Sequence, residues 1–148
     1  MTGALVSKLD LSAVTQALEN AIGSKYVRGN LEPAHGATLL VSPASTAEVA
    51  AVVKICIAHE VSIVPIGGHT GLVGGCMTQA GQVLLSLLRI SDIEAIYPTE
   101  RVAVVQAGLT LQNLQIAALE LGLEPGIDIP ARGSATIGGM VSTNAGGI

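Results

Sequence analysis

Residues 65–75 read Pro-Ile-Gly-Gly-His-Thr-Gly-Leu-Val-Gly-Gly, and residues 133–147 read Gly-Ser-Ala-Thr-Ile-Gly-Gly-Met-Val-Ser-Thr-Asn-Ala-Gly-Gly. Glycine is concentrated in these two windows, where a missing Cβ lets backbone N–H groups converge on one ligand without a steric wall. The first window is therefore a candidate phosphate cradle. It is not a dinucleotide fingerprint, because no glycine trio in it has the i, i+2, i+5 spacing, and it is not a mononucleotide P-loop, because it lacks Gly-Lys-Ser/Thr. No Lys or Arg lies between Lys54 and Arg89. An anion held here would be held by amide dipoles, which suits a buried diphosphate. A glycine-rich turn without a ligand is the competing reading.

The second window sets Ser134, Thr136, Thr143 and Asn144 among small residues. Small side chains let a flat ring approach the backbone, and the hydroxyl and amide groups can hydrogen-bond its edge. A short helix is expected to start near Thr136. The competing reading is that Gly138 and Gly139 only allow that helix to pack tightly on a strand.

The apolar run Val61–Val64, bounded by Pro65, predicts a strand that feeds the first window. Leu39–Val41 predicts an earlier strand, and Ser45 with Glu48 forms a capping box for a helix carrying Val49, Val52, Val53, Cys56 and Ile57. This is a β-α-β unit, whose strands should be parallel and whose crossover should be right-handed. Upstream, Leu11, Val14, Leu18 and Ile22 recur at helical spacing before Gly23, and residues 24–37 read as a polar loop. Residues 1–37 are thus set apart as an adapter from a domain over 38–148. Downstream come a strand at Val83–Ser86 and a hairpin of Ile93–Tyr97 with Val102–Ala107. A helix follows, capped by Thr110, carrying Leu111, Leu114, Ala118 and Leu121, and ending at Gly122. The sum is an α+β fold.

The two windows, in this order, resemble the FAD-binding domain of the vanillyl-alcohol oxidase and p-cresol methylhydroxylase superfamily, in particular its D-lactate, glycolate and D-2-hydroxyglutarate dehydrogenase branch. The similarity runs from about Leu39 to Ile148. It implies that the first loop, with Ile66, Gly67, Gly68, His69, Thr70, Gly71 and Leu72, wraps the FAD pyrophosphate. It also implies that Gly133, Ser134, Thr136, Ile137, Gly138, Gly139, Thr143, Asn144 and Ala145 line the pyrophosphate and the isoalloxazine side. For the intact enzyme it implies oxidation of a D-2-hydroxy acid to the 2-oxo acid. His69 departs from the branch, which more usually carries asparagine or another small residue there; other branches bond a histidine at this place to the flavin. His69 is read either as such an anchor or as a hydrogen-bonding neighbour of the cofactor, and no cysteine near the second window supports a double linkage.

The family continues well beyond Ile148, through parts that carry its substrate-binding and acid/base residues, so the chain is expected to be an N-terminal portion with no catalytic residue of its own. Asp10, Glu19, Glu32, Glu94, Glu100 and Glu120 read as solvated carboxylates, and Asp128 with Arg132 as either a ligand contact or a solvated turn. Two other classes stay open: a flavin domain serving a different reductase or hydroxylase reaction, and a non-catalytic assembly module that self-associates through an incomplete second subdomain.

With 148 residues, 49% hydrophobic and 12% charged, the chain can bury a core of its own. It has no Trp or Phe and only Tyr26 and Tyr97, so that core is aliphatic. A net charge of −4 without a basic cluster gives no footprint for nucleic acid. Cys56 and Cys76 have neither metal-ligand nor disulfide-framework spacing, and no run of membrane-spanning length or signal peptide is visible. A cytoplasmic protein without a metal is the resulting expectation.

Overall fold

The computed structural model describes residues 11–29 and 39–147. The expected loop at 30–37, the carboxylates of Asp10 and Glu32, and Ile148 lie outside the described residues.

Helix α1 (Ser12–Ile22) buries Val14, Leu18 and Ile22, one residue per turn along a single face, and Gly23 ends it by donating its N–H to the Glu19 carbonyl. Helix α2 (Thr46–Ala58) starts at the expected capping box: Ser45 Oγ accepts the Glu48 N–H at 3.1 Å, and Glu48 Oε2 accepts the Ala44 N–H at 2.7 Å. Val52 and Cys56 face inward from it.

Both helices pack on one face of a four-stranded sheet built from β1 (Val27–Gly29), β2 (Leu39–Val41), β3 (Ile63–Ile66) and β4 (Val83–Ser86). The order is β1-β2-β4-β3; β1 runs antiparallel to β2, and the other pairs are parallel. β2 and β3 are thus parallel but not adjacent, because β4 lies between them. Its four residues are all buried, which is what a central strand covered on both faces requires. β3 takes the edge, where Pro65 removes no ladder hydrogen bond that the sheet needs. That placement corrects the expected end of this strand: it spans residues 63–66 and runs through Pro65 instead of stopping before it.

A second correction concerns residues 24–29. They form a 3₁₀ turn (Ser24–Tyr26) and β1, not a loop, because pairing with β2 supplies what a three-residue strand cannot supply alone. Residues 11–29 also share one core with the rest: Val14, Leu18, Ile22 and Val27 pack together with Val41, Val52, Val83 and Leu85. Arg89 reinforces the join. Its Nη1 donates to the Ser42 carbonyl at 2.6 Å, and its guanidinium lies 3.3 Å over the Tyr26 ring.

The second half is an antiparallel hairpin, β5 (Ile93–Tyr97) with β6 (Val102–Val105), followed by α3 (Leu111–Leu119) and α4 (Ile137–Ser142). Thr110 and Thr136 cap these helices through their hydroxyls, bonded by the N–H groups of Asn113 and Gly139. β6 ends two residues before the expected Ala107, and α3 ends before Leu121. Leu111, Ala135 and Met140 make a small separate core. The whole is an α+β fold.

Candidate functional site

Because β3 and β4 are parallel, their carboxyl ends lie at the same edge of the sheet, where α/β architectures leave a crevice. Strand alternation sends Leu39, Val41, Val83 and Leu85 to the helices and Leu40 and Leu84 to the other face. On that face a cleft of about 240 Å³ is lined by Leu40, Ile66, Leu84 and Leu88, with Ser86 and the Gly67-Gly68-His69 backbone at its border. The walls are apolar; Gly67 and Gly68 contribute backbone. Beyond it the first window is exposed: Thr70 and Gly71 face outward, and Leu72 is 100% exposed. His69 adopts φ +55°, a left-handed conformation that side-chain-bearing residues take at a cost and that histidine takes more readily than most.

The second window is held by α3 and by the strand end before it. Thr110 and Thr136 form an antiparallel bridge, Leu111 N–H donates to Ala135 O, Ile137 N–H to Leu109 O and Gly138 N–H to Ala107 O. A Cβ on Gly138 would lie 2.7 Å from Ala107 Cβ, so tight packing accounts for that glycine. Thr143 Oγ1 donates to Gly139 O at 3.0 Å, back into its own helix, while Asn144 is exposed at φ +49°. Gly133 and Ser134 are exposed, and Ile137, Gly139 and Ala145 are half-buried. Asp128 and Arg132 pair with each other at 2.9 Å, and Asp128 Oδ1 also accepts from Gln115 Nε2 and from the Ile129 N–H. That pair braces the turn leading into the window.

The windows touch. A Cβ on Gly67 would overlap Thr136 Oγ1, and one on Gly68 would overlap the Ser134 carbonyl. Two segments far apart in sequence thus meet backbone to backbone at the rim of the cleft. The other large groove, about 420 Å³ between the hairpin and α3, is lined by residues such as Ile96, Val102, Leu114 and Leu123, and neither window reaches it.

This arrangement fits FAD. Gly71 and Gly75 have φ outside the left-handed range, and an added Cβ at either would meet nothing within 4 Å. Protein packing gives no reason for glycine there, whereas close approach of a ligand to the amides does. The apolar wall of the cleft, which Gly67 and Gly68 border, suits a flat ring system. A family model described as FAD binding domain matches residues 37–148. The chain belongs to the FAD binding domain family.

This FAD-binding chain is 45% identical over 106 residues to a D-2-hydroxyglutarate dehydrogenase from Xanthomonas citri pv. viticola, which covers 72% of the chain and 22% of the relative. It is 41% identical over 110 residues to a D-lactate dehydrogenase from Anaerostipes hadrus, covering 74% of the chain and 23% of the relative. Among solved structures, p-cresol methylhydroxylase with bound substrate superimposes with a TM-score of 0.70 at 25% identity, over 80% of this chain and 26% of that one. A 4-ethylphenol oxidase from Gulosibacter chungangensis shares the fold at a TM-score of 0.78 and 22% identity, over 95% and 30% of the two chains. The FAD-binding chain spans roughly a fifth to a quarter of the length of these curated relatives.

The cleft residues Leu40, Leu84, Ser86 and Leu88 escape a motif-based reading. A signal for them exists: Val83–Leu85 is apolar on both parities, so something must cover its second face. Among the described residues no three His, Cys, Asp or Glu side chains gather as metal ligands, and no helix is long and apolar enough to cross a membrane.

Proposed function

We propose that the chain is the FAD-holding part of a flavin-dependent oxidoreductase that converts a D-2-hydroxy acid to the 2-oxo acid. The observation that carries this reading is the docking of two glycine windows beside an apolar cleft at the carboxyl ends of parallel strands. When bound, FAD supplies the electron acceptor. The chain's own residues hold and shield it: the amides of Gly67 to Gly71 bind the diphosphate by their dipoles, and Ile66, Leu40 and Leu84 exclude water from one side. Ser134 and Asn144, exposed on the second window, are placed to hydrogen-bond its polar edge. Thr70, Leu72, Gly133, Ile137, Gly139, Thr143 and Ala145 complete the contact set.

The substrate class is supported by relatives named as D-2-hydroxyglutarate and D-lactate dehydrogenases. The chain spans about a fifth to a quarter of those relatives, and no substrate-binding or acid/base residue is proposed within it. Because α1 and β1 share the core of the sheet, we place residues 11–29 in the same folding unit as the FAD-binding residues, although the family match begins at residue 37. A cytoplasmic site of action and self-association through the hairpin and α3 belong to the same reading.

The test is a visible absorption spectrum of the purified chain after incubation with FAD and gel filtration, repeated after acid precipitation. Retained yellow colour is expected. Colour that stays in the precipitate would make His69 a covalent anchor, and colour released to the supernatant would make it a neighbour. A colourless chain that remains colourless when extended downstream would overturn the FAD assignment. Turnover of D-lactate or D-2-hydroxyglutarate by the extended protein, against none by the L-enantiomers, is the check on substrate class.

A further inference from the structure

We propose that Thr136 is a positioning residue that locks the two glycine windows into one cradle, and that its hydroxyl serves the protein and not the cofactor. This deepens the FAD reading and rests on it.

Thr136 is 2% exposed, so its side chain is turned away from any ligand outside. Its Oγ1 accepts the Gly139 N–H at 3.3 Å and thereby caps α4. The same oxygen occupies the space a Cβ on Gly67 would need, and the Thr136 methyl stands 3.4 Å from that position. One hydroxyl therefore touches the first turn of the second window and the first glycine of the first. Threonine suits this better than serine in one respect: its branched Cβ restricts χ1, so the direction of the oxygen is set by the backbone. The backbone is itself fixed, through the bridge to Thr110 and the Met140 N–H that the Thr136 carbonyl accepts at 2.9 Å. Gly68, against the Ser134 carbonyl, closes the contact one residue further on.

Thr110 is a natural control. It caps α3 in the same way, with its Oγ1 accepting the Asn113 N–H at 3.3 Å, but the atoms that crowd Gly67 and Gly68 belong to Thr136 and to the 134–135 backbone, not to Thr110. The experiment compares Thr136→Val, Thr136→Ser and Thr110→Val by amide hydrogen exchange without FAD, and by FAD titration. Thr136→Val is expected to raise exchange about fivefold in both windows, the factor that loss of one cap gives, and to weaken FAD binding by a similar factor. Thr136→Ser should stay near wild type, and Thr110→Val should loosen α3 alone. If Thr136→Val loosens residues 137–142 and leaves residues 67–75 unchanged, Thr136 is only a cap and the proposal fails. If Thr136→Val does not fold, Thr136→Ala carries the same comparison. Absence of FAD binding by the unaltered chain would count against the FAD reading, while the exchange pattern would still decide the role of Thr136.

Discussion

The two halves of the molecule close their cores to different degrees. Residues 11–90 bury Val14, Leu18, Val41, Val52, Cys56 and Val83 between two helices and one face of a four-stranded sheet. Residues 91–147 hold the smaller cluster of Leu111, Ala135 and Met140, with Leu109 and Ala118 also buried, and leave Tyr97, Val102, Ile116 and Leu119 on the surface. A two-stranded hairpin is marginal without further cover. The larger buried cluster thus lies in the first half, and the second half meets it at the glycine contacts with a smaller core of its own.

The largest effects should come from cavities, and they should differ between the halves. Leu18→Ala, at a side chain with 0% exposure, is expected to cost about 4 kcal/mol, and Leu111→Ala, equally buried but in the smaller cluster, about 3 kcal/mol because its surroundings can collapse more easily. Urea denaturation measures both; equal costs would erase the distinction. Next in size is Arg89→Ala, which removes the Ser42 hydrogen bond and the stacking on Tyr26. A loss of about 1.5 kcal/mol is expected, together with earlier exchange of the β1 amides.

Leu119→Lys, at a position 74% exposed near the end of α3, should leave stability within about 0.5 kcal/mol while reducing self-association in sedimentation velocity. Unchanged association, or none in the unaltered chain, would overturn the proposed self-association through this face. The smallest effect is alkaline. Burial pushes the Cys56 thiol above its ordinary value of 9.0, so the folded state keeps this proton longer than the unfolded state does. Its contribution to stability is complete below that ordinary value and is lost as pH rises through the folded one. Denaturation midpoints of the wild type should therefore fall more steeply at alkaline pH than those of Cys56→Ala.

The β-α-β unit, the hairpin and the capped helices were legible because their residues carry local signals: a capping box at Ser45, Thr110 ahead of an apolar stripe, Pro98 and Thr99 between two β-branched runs. β1 was not, since three residues with Arg28 at the centre have no pattern until β2 is beside them. The insertion of β4 between β2 and β3 was equally hidden, because periodicity says which residues are apolar and not which strand they meet. At the site, the windows announced themselves by composition. That Gly67 and Gly68 face Thr136 and Ser134 could not be read, because both close packing and ligand approach favour glycine, and only distances separate the two.

The scarcity of aromatic residues also makes this protein unusually easy to watch. Tyr26 lies under Arg89 in the half that closes its own core, and Tyr97 stands on the exposed hairpin of the other. With no tryptophan to mask them, each half carries a single ultraviolet chromophore, so selective replacement of one tyrosine leaves a signal that reports the unfolding of the other half alone.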